Sequence, residues 1–258
     1  AGTSLSTSKM KGISLYEPGA MTVVAQAGTP VSEIEAALAT ENQRLAFEPM
    51  DHRSLLGTQG EPTIGGVMAA NVSGPRRISV GAARDFLLGI RYVDGMGQTV
   101  KNGGRVMKNV TGYDLVKLMA GAYGTLGVLS EVSLKVLPRP EMQSTLVLNG
   151  LDDGAAISAL AKALGSPFEV SAAAHDPETK ETRLRLEGFE ASVKYRIDSL
   201  KQLLGGDTHV DENAESHWAS WRDVSGFARA DEDIWRVSCK PSDGPMLGAK
   251  SGALGVRY

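Results

Sequence analysis

The stretch that decides the fold runs from residue 107 to residue 129 and reads MKNVTGYDLVKLMAGAYGTLGVL. It predicts a polar turn, a short amphipathic helix, a loop containing Gly121, Gly124 and Gly127, and then an apolar strand. Glycine leaves the backbone free to adopt positive φ or to lie flat against a ligand. The spacing is therefore consistent with a nucleotide or flavin cradle. The alternative, a helix C-cap before a tight turn, explains Gly121 well and all three glycines less well.

A second glycine-rich stretch lies upstream, at residues 63–74, and reads TIGGVMAANVSG. Thr63 has the character of a helix N-cap, and two glycines follow in the first predicted turn. Small residues there would let a helix N-terminus approach a ligand closely. Close packing of a short helix on a sheet explains the same residues. Arg76 and Arg77 come next and are either phosphate contacts or solvent-exposed cations.

The remaining elements of the first half are mostly short strands. Asp94-Gly95-Met96-Gly97 predicts a hairpin turn, and its glycines lie between two strands without a third glycine, which excludes a Rossmann fingerprint. A helix is predicted after Gly28, with Thr29 as its cap and Pro30 in its first position. Residues 45–62 are predicted to form a loop. The predicted strands are 13–16, 22–27, 86–93, 98–101 and 126–137.

Pro138-Arg139-Pro140 predicts a boundary between a first domain, residues 1–141, and a second, residues 142–258. The second domain has the order βαββαβ, a ferredoxin-like arrangement. Trp218 and Trp221 are expected to be core or interface anchors on a helix at 215–227. Cys239 is expected to be a buried thiol. The predicted strands are 145–148, 168–174, 183–187, 207–210, 235–239 and 252–258, and the other predicted helices are 155–164 and 191–204.

Composition narrows the class of function. The net charge of −3 provides no basic field, so nucleic acid is not an expected partner. No apolar run is long enough to predict a transmembrane segment, and a cytoplasmic protein is expected. The first methionine is Met10 and the last residues have a strand pattern, so we expect sequence to be missing at both ends.

Protein-borne catalytic motifs are not visible in the sequence. There is no nucleophile elbow, no HExxH, and no Walker lysine after the glycines. The histidines have no metal-ligand spacing, so no metal site is predicted. A cradle without a catalyst is typical of proteins in which a cofactor carries the chemistry.

Five blocks together resemble the vanillyl-alcohol-oxidase type of FAD-binding domain, also called PCMH-type. The blocks are residues 63–74, 81–85, 93–95, 111–115 and 124–128, and the resemblance extends over about residues 16–140. Within this family, residues 74–77, 84–89, 106–110 and 136–140 resemble the FAD-binding E subunits of bacterial glycolate oxidases. Residues 185–188 and 235–238 fit those subunits as well.

The resemblance implies an α+β protein with a PCMH-type FAD-binding domain, whose first subdomain is incomplete, and a ferredoxin-like cap. It implies FAD as cofactor. Lys108 is a candidate for a charge near the pyrimidine edge of the flavin, or else a surface lysine. The residues expected to hold the cofactor are Thr63, Gly65, Gly66, Ala70, Asn71, Ser73, Gly74, Arg77, Asp85, Lys108, Gly112, Gly127 and Val128.

The resemblance also implies partners. The chain is expected to join a catalytic FAD subunit and an iron–sulfur subunit in a complex that oxidises a small 2-hydroxy acid, peripheral at the inner membrane through those partners. The catalytic residues are not identified. Two other hypotheses stay open: a flavin-free subunit that assembles the same complex, and a self-sufficient FAD-linked alcohol oxidase. The earlier pyrophosphate loop common in the family has only Gly2-Thr3-Ser4 as a counterpart.

Overall fold

A computed structural model describes residues 3–105, 112–211, 213–228, 233–252 and 255–258. The chain divides into two compact units. Unit one contains the residues up to Arg139 and a short return segment that begins at Arg222. Unit two contains residues 140–221 and the described residues from 233 onward.

Unit one is built on a five-stranded antiparallel sheet with the order β1-β2-β6-β4-β5. Its strands alternate because one face packs on helices: Val132 and Leu134 are fully buried on that inner face, and Ser133 between them points to the outer face. A two-residue ladder, β3 with β7, lies beside this sheet. The strands are β1 (Ile13–Glu17), β2 (Thr22–Gln26), β3 (Gln43–Arg44), β4 (Leu87–Val93), β5 (Thr99–Gly103), β6 (Val128–Lys135) and β7 (Leu137–Pro138).

Short helices cover the inner face of this sheet. Ile34 and Leu38 of the first helix and Ile64 and Met68 of the third are fully buried in one core with the strands. The helices are α1 (Val31–Ala39), α2 (Arg53–Leu56), α3 (Ile64–Ala70), α4 (Arg77–Val80), α5 (Ala83–Phe86) and α6 (Leu115–Met119).

Unit two has the ferredoxin-like topology that the sequence predicted. Its antiparallel sheet has the order β11-β8-β10-β9, which is the order that βαββαβ connections produce in that fold. Two helices, α7 and α8, pack on one face around buried residues such as Leu146 and Leu184. The elements are β8 (Met142–Asn149), α7 (Asp153–Leu164), β9 (Ala172–Asp176), β10 (Glu181–Gly188), α8 (Glu190–Leu204) and β11 (Thr208–Val210).

The other face of the unit-two sheet is covered by α9 (Ala214–Arg222). Trp218 is buried there, as predicted, and its indole Nε1 donates to Thr145 Oγ1 at 2.8 Å. The guanidinium of the buried Arg185 lies 4.9 Å from the centre of the Trp218 ring. This cation–π contact, a hydrogen bond from Arg185 Nε to Ser171 Oγ at 3.2 Å and an ion pair with Glu187 at 3.9 Å together accommodate the charged strand residue inside the domain.

The predictions for residues 235–258 were largely wrong. Residues 235–239 have no regular structure, and Trp235, Val237 and Cys239 are exposed, because no described strand pairs with this apolar segment. The predicted loop after it contains α10 (Gly244–Ser251). Tyr258 pairs with His175 of β9 through two backbone hydrogen bonds, a bridge rather than a strand.

The cap predicted for α1 was also wrong. Pro30 stands in the cap position, and the helix begins at Val31. The Thr29 hydroxyl instead donates to Gln26 O at 2.7 Å and accepts the Gly12 N–H at 2.9 Å. It therefore fixes the turn after β2 instead of capping the helix.

Candidate functional site

The first turn of α3 is tied to the sheet. Thr63 caps the helix through its hydroxyl, and the amides of the next two residues donate to Thr29 O at 2.9 Å and Ala27 O at 2.8 Å. A Cβ added at Gly65 would lie 2.6 Å from Ala27 Cβ. Gly65 is therefore needed for close packing of helix on strand. This is the alternative that the sequence had left open, and the amide of Gly65 is already paired.

Gly66 differs from its neighbour because it is exposed. Its amide makes only a long hydrogen bond, 3.4 Å, to Thr63 Oγ1, and a Cβ there would meet no other atom within 4 Å. Gly66 thus presents bare backbone to solvent at the positive end of the α3 dipole. Among the amides of this turn, that of Gly66 could donate to a ligand at the smallest cost, because it would give up only a long hydrogen bond.

The glycine loop of residues 121–127 docks on the other end of α3. The amides of Gly121 and Tyr123 donate to Met68 O at 3.1 Å and Ala69 O at 2.8 Å, two of the last carbonyls of the helix. Gly121 has φ of 84°, and its Cβ position lies 3.4 Å from Asn71 Cβ. Two stretches that are about fifty residues apart in the sequence therefore form one assembly around α3, the α3 assembly. Asn71, Ser73 and Asp85 also belong to it.

Asn71 and Ser73 link α3 to α5. Asn71 ends α3 in the left-handed conformation, with φ of 51°, and its Oδ1 accepts the Arg84 amide at 2.9 Å. Ser73 Oγ accepts the Ala83 amide at 2.8 Å. Asp85 closes the same turn because its Oδ2 accepts the Ala82 amide at 2.8 Å. These polar side chains position backbone within the assembly.

Gly74 is a point of close backbone approach. Its amide donates to Phe47 O at 2.8 Å, and an added Cβ would lie 2.4 Å from Glu48 O and 3.2 Å from Arg222 Cγ. Any larger residue at position 74 would displace this turn. The segment that returns to unit one at Arg222 therefore packs directly against one of the predicted cofactor residues.

Arg76 and Arg77 have different environments. Arg76 is buried and pairs with Glu48, Nη1 to Oε1 at 3.1 Å, so neither interpretation offered for it from the sequence was correct. Arg77 is exposed on α4, as one of the two interpretations predicted. Arg77 is therefore the member of the pair that is available to a ligand.

The other predicted residues lie at separate points of unit one. Gly127, with φ of 154°, packs its Cα against Val93 O and the ring of Tyr92, and Val128 pairs with Val93 at the start of β6. Gly112 is exposed with open space around it, and Ala70 is half-buried in the last turn of α3. Lys108 falls outside the described residues.

A flavin cofactor fits the exposed part of this assembly in two respects. Gly66 and Gly124 present unhindered backbone, and the side chains of Tyr123 and Leu126 are 75% and 47% exposed on the docked loop. Bare amides suit a phosphate or a ring edge, and exposed aromatic and aliphatic side chains suit a flat ring. The fit rests on backbone and apolar surface, not on a catalytic side chain.

The structure adds Lys117, which was not among the residues predicted for the site. Its ammonium donates to the carbonyl of Arg84 in α5 at 2.6 Å and to that of Leu87 at the start of β4 at 3.0 Å. Burial lowers the pKa of Lys117 below the usual lysine value, although Asp114 and Asp85 oppose the shift. A lysine on an amphipathic helix is ordinarily a surface group, so only the tertiary contact identifies this one.

The part of the chain that the structure describes has neither a cluster of metal-ligating side chains nor a helix suited to a membrane. No group of three or more histidine, cysteine or carboxylate side chains could hold a metal ion there. None of the helices in those residues combines the length and the apolar character needed to span a bilayer.

Comparison with known proteins also indicates FAD binding, as the sequence resemblance did. The family model described as FAD binding domain matches residues 1–103. Solved structures of alkyldihydroxyacetonephosphate synthase superpose with a TM-score of 0.65, at 18% identity, over 85% of this chain and 45% of theirs. At that identity the likeness shows the fold, and it confirms the PCMH-type α+β prediction.

Curated relatives extend the comparison. Glycolate oxidase subunit GlcE of Escherichia coli is 39% identical over 95% of this chain and 65% of its own length. Glycolate oxidase subunit GlcD of Bacillus subtilis is 35% identical over 49% of this chain and 26% of its own. D-lactate dehydrogenase of Anaerostipes hadrus is 33% identical over 57% of this chain and 29% of its own length. The chain thus spans less than two thirds of the length of these relatives. It is homologous to the glycolate oxidase subunits and to other FAD-linked oxidoreductases, and it carries an FAD binding domain of that kind.

Proposed function

We propose that this chain is the FAD-binding subunit of a glycolate-type 2-hydroxy-acid oxidoreductase. Unit one would hold FAD, and unit two would be the cap domain. The predicted domains, residues 1–141 and 142–258, correspond to these units except near residue 140 and in the segment that returns to unit one at Arg222. FAD, when bound, accepts electrons from the α-carbon of the hydroxy acid or relays them. The observation that carries the proposal is the assembly around α3, in which the two glycine-rich stretches meet beside exposed Gly66.

The partners are part of the same proposal. Two relatives are named as subunits of glycolate oxidase, which supports a complex of several chains, and we propose that one of these is a catalytic FAD subunit. We extend this to an iron–sulfur subunit that takes electrons from the flavin, and to attachment at the inner membrane through these partners. The carboxyl end of the substrate would be recognised by the catalytic subunit.

The roles proposed for the described residues follow from their contacts, and the role proposed for Lys108 follows from the sequence resemblance. Gly66 would meet the pyrophosphate or the ribityl chain with its amide, and Gly127 and Val128 would lie against the cofactor with backbone. Asn71, Ser73, Gly74 and Asp85 would act by holding that backbone in place, since their polar groups bond within unit one. Arg77 would supply a positive charge to the phosphates, and Lys108 one to the flavin.

The direct test is flavin binding by the full-length protein. We expect the purified protein, reconstituted with FAD, to show flavin absorbance bands after removal of free cofactor. A protein that is folded by circular dichroism but retains no flavin, alone or with its partner subunits, would refute the proposal.

A sharper test uses Gly66→Ala. Alanine in a helix is favoured over glycine by about 1 kcal/mol, and the site has room for a methyl group, so the flavin-free variant should be more stable than the parent. If FAD lies on this backbone, the same methyl group should weaken FAD binding. Gly154→Ala, in the first turn of α7, is the control: it should raise the stability of the protein without changing its affinity for FAD. Unchanged FAD affinity in Gly66→Ala would remove this residue from the site.

A second candidate, a flavin-free subunit that assembles the complex, is favoured by one observation. The first two amides of α3 are paired with carbonyls of unit one and are not free for a phosphate. This candidate expects the chain to co-purify with its partners and the complex to keep full activity with Gly66→Trp. Loss of activity together with loss of flavin would decide for the FAD-binding subunit.

A further inference from the structure

A cavity of about 290 Å³ lies on the outer face of the five-stranded sheet, the face opposite the helices and the buried core. Its volume is near the lower end for small-molecule sites. The residues that line it include Leu15, Val24, Lys101, Arg105, Glu131 and Ser133. None of them belongs to the proposed flavin site. We refer to it as the outer cavity.

Ser133 provides an unpaired polar group in the outer cavity. Val132 and Leu134 face the core, so the side chain between them points to the cavity side. Ser133 is 7% exposed, and its Oγ has no hydrogen-bond partner among the described residues. A buried hydroxyl without a partner destabilises the folded state, and a ligand with a polar end would relieve that cost.

Among the described charged side chains around the outer cavity, the two arginines have ion-pair partners and Lys101 has none. Arg91 pairs with Glu131 at 3.8 Å, and Arg105 pairs with Glu17 at 3.4 Å. Lys101 stands opposite Arg91 in the β4–β5 register and has no ion-pair partner in the described parts of the chain. Like charges on adjacent strands disfavour each other, so an anion beside Lys101 would be stabilising.

The ion pair of Arg105 also shapes the cavity. Arg105 follows β5 at one edge of the sheet, whereas Glu17 ends β1 at the other edge. The pair therefore joins residues from the two edges of the sheet, and Arg105 contributes to the cavity lining. Leu15 and Val24, on adjacent strands, form an apolar floor beneath it.

We propose that the outer cavity binds a small monocarboxylate with a short apolar body. The carboxylate would pair with Lys101 and accept a hydrogen bond from Ser133 Oγ, and the hydrocarbon part would lie on Leu15 and Val24. This site does not depend on FAD, so its test and the flavin test can fail separately.

The experiment compares hexanoate with its neutral isostere hexanamide by calorimetric titration of the full chain. We expect saturable binding of hexanoate, about tenfold tighter than hexanamide, because hydrogen bonds to a charged group are stronger than those to a neutral one. Lys101→Gln should abolish the difference between the two ligands, whereas Lys9→Gln, an exposed lysine outside the cavity lining, should preserve it.

Ser133→Ala separates binding from folding. Removing an unpaired hydroxyl should leave thermal stability unchanged or raised, yet weaken hexanoate several-fold. The proposal is overturned if hexanoate does not bind at tens of millimolar, if both ligands bind equally to the parent, or if folded Lys101→Gln still prefers hexanoate.

Discussion

At the scale of single residues, adjacent side chains of one type have unrelated roles. Arg76 and Arg77 are indistinguishable in sequence, but one is a buried half of an ion pair and the other faces solvent. Burial decides how much the loss of each arginine costs. When one partner of a buried ion pair is removed, the desolvation cost of the remaining charge is no longer offset.

Replacing Arg76 by Met should therefore destabilise the protein by about 3 kcal/mol, since the buried Arg76–Glu48 ion pair would be lost. Arg77→Met should change the free energy of unfolding by less than about 0.5 kcal/mol. Urea denaturation of the two variants measures both values. Equal effects of the two substitutions would show that the Arg76–Glu48 pair contributes nothing.

Glu35 on α1 gives a pH-dependent prediction. Burial raises the pKa of Glu35, more than the nearby Arg222 and Arg139 lower it, and Asp223 adds to the increase. The folded state thus holds this proton more tightly than the unfolded state does. Stability from this group is fully present below the usual value of 4.5 and is lost as pH rises through the folded pKa.

Glu35→Gln should accordingly raise stability at pH 7 and lose that advantage below about pH 4. Thermal unfolding across this range gives the answer. Glu33→Gln on the same helix is the control, and it should show no gain at pH 7 because an exposed acid in a first turn is favourable. A gain that persists at low pH would mean that ionisation is not its cause.

At the scale of elements, α3 organises the candidate site. It is short, and its ends are satisfied from outside: strand carbonyls accept its first amides, and loop amides donate to its last carbonyls. The loop can reach those carbonyls because Gly121 adopts positive φ. The helix and the loop therefore depend on each other.

Gly121→Ala should destabilise unit one by about 1–2 kcal/mol, the usual cost of a left-handed conformation for a residue with a side chain. Gly60→Ala, in open space without positive φ, should be nearly neutral. Chemical denaturation followed by circular dichroism tests the pair. If Gly121→Ala matched Gly60→Ala, the loop would not need this conformation.

At the scale of the whole molecule, each unit has its own core. The core of unit one contains residues such as Phe47 and Leu134, and that of unit two contains Leu146 and Leu200. A ligand stabilises the structure to which it binds. The proposed cofactor should therefore act on unit one, where its predicted residues lie.

Hydrogen exchange with and without FAD tests this expectation. Added FAD should increase protection at residues 63–74 and 121–128, and strands β8 and β10 of unit two should show little change. The opposite pattern, with protection confined to unit two, would mean that the flavin binds outside the α3 assembly. Riboflavin serves as a control that lacks the pyrophosphate.

Much of the fold was predictable because local chemistry and tertiary structure agree. Alternation and turn residues located the strands of both units, and the βαββαβ order predicted the ferredoxin-like sheet. The predictions were wrong where local signals competed with distant ones. Thr29 bonds the turn before it instead of capping α1, and residues 235–239 have a strand pattern but no described strand as partner.

Local patterns and the resemblance to known proteins were enough to predict an FAD-binding domain, the sheet order of unit two, and the glycine-rich segments that make up the candidate site. Tertiary structure alone decided what each residue does there. It buried Arg76 and exposed Arg77, paired the amide of Gly65 and left that of Gly66 open, and placed Gly121 on the carbonyls of α3. The physical reason is that hydrogen bonding and burial depend on residues far away in the chain, whereas propensity and periodicity depend only on near neighbours.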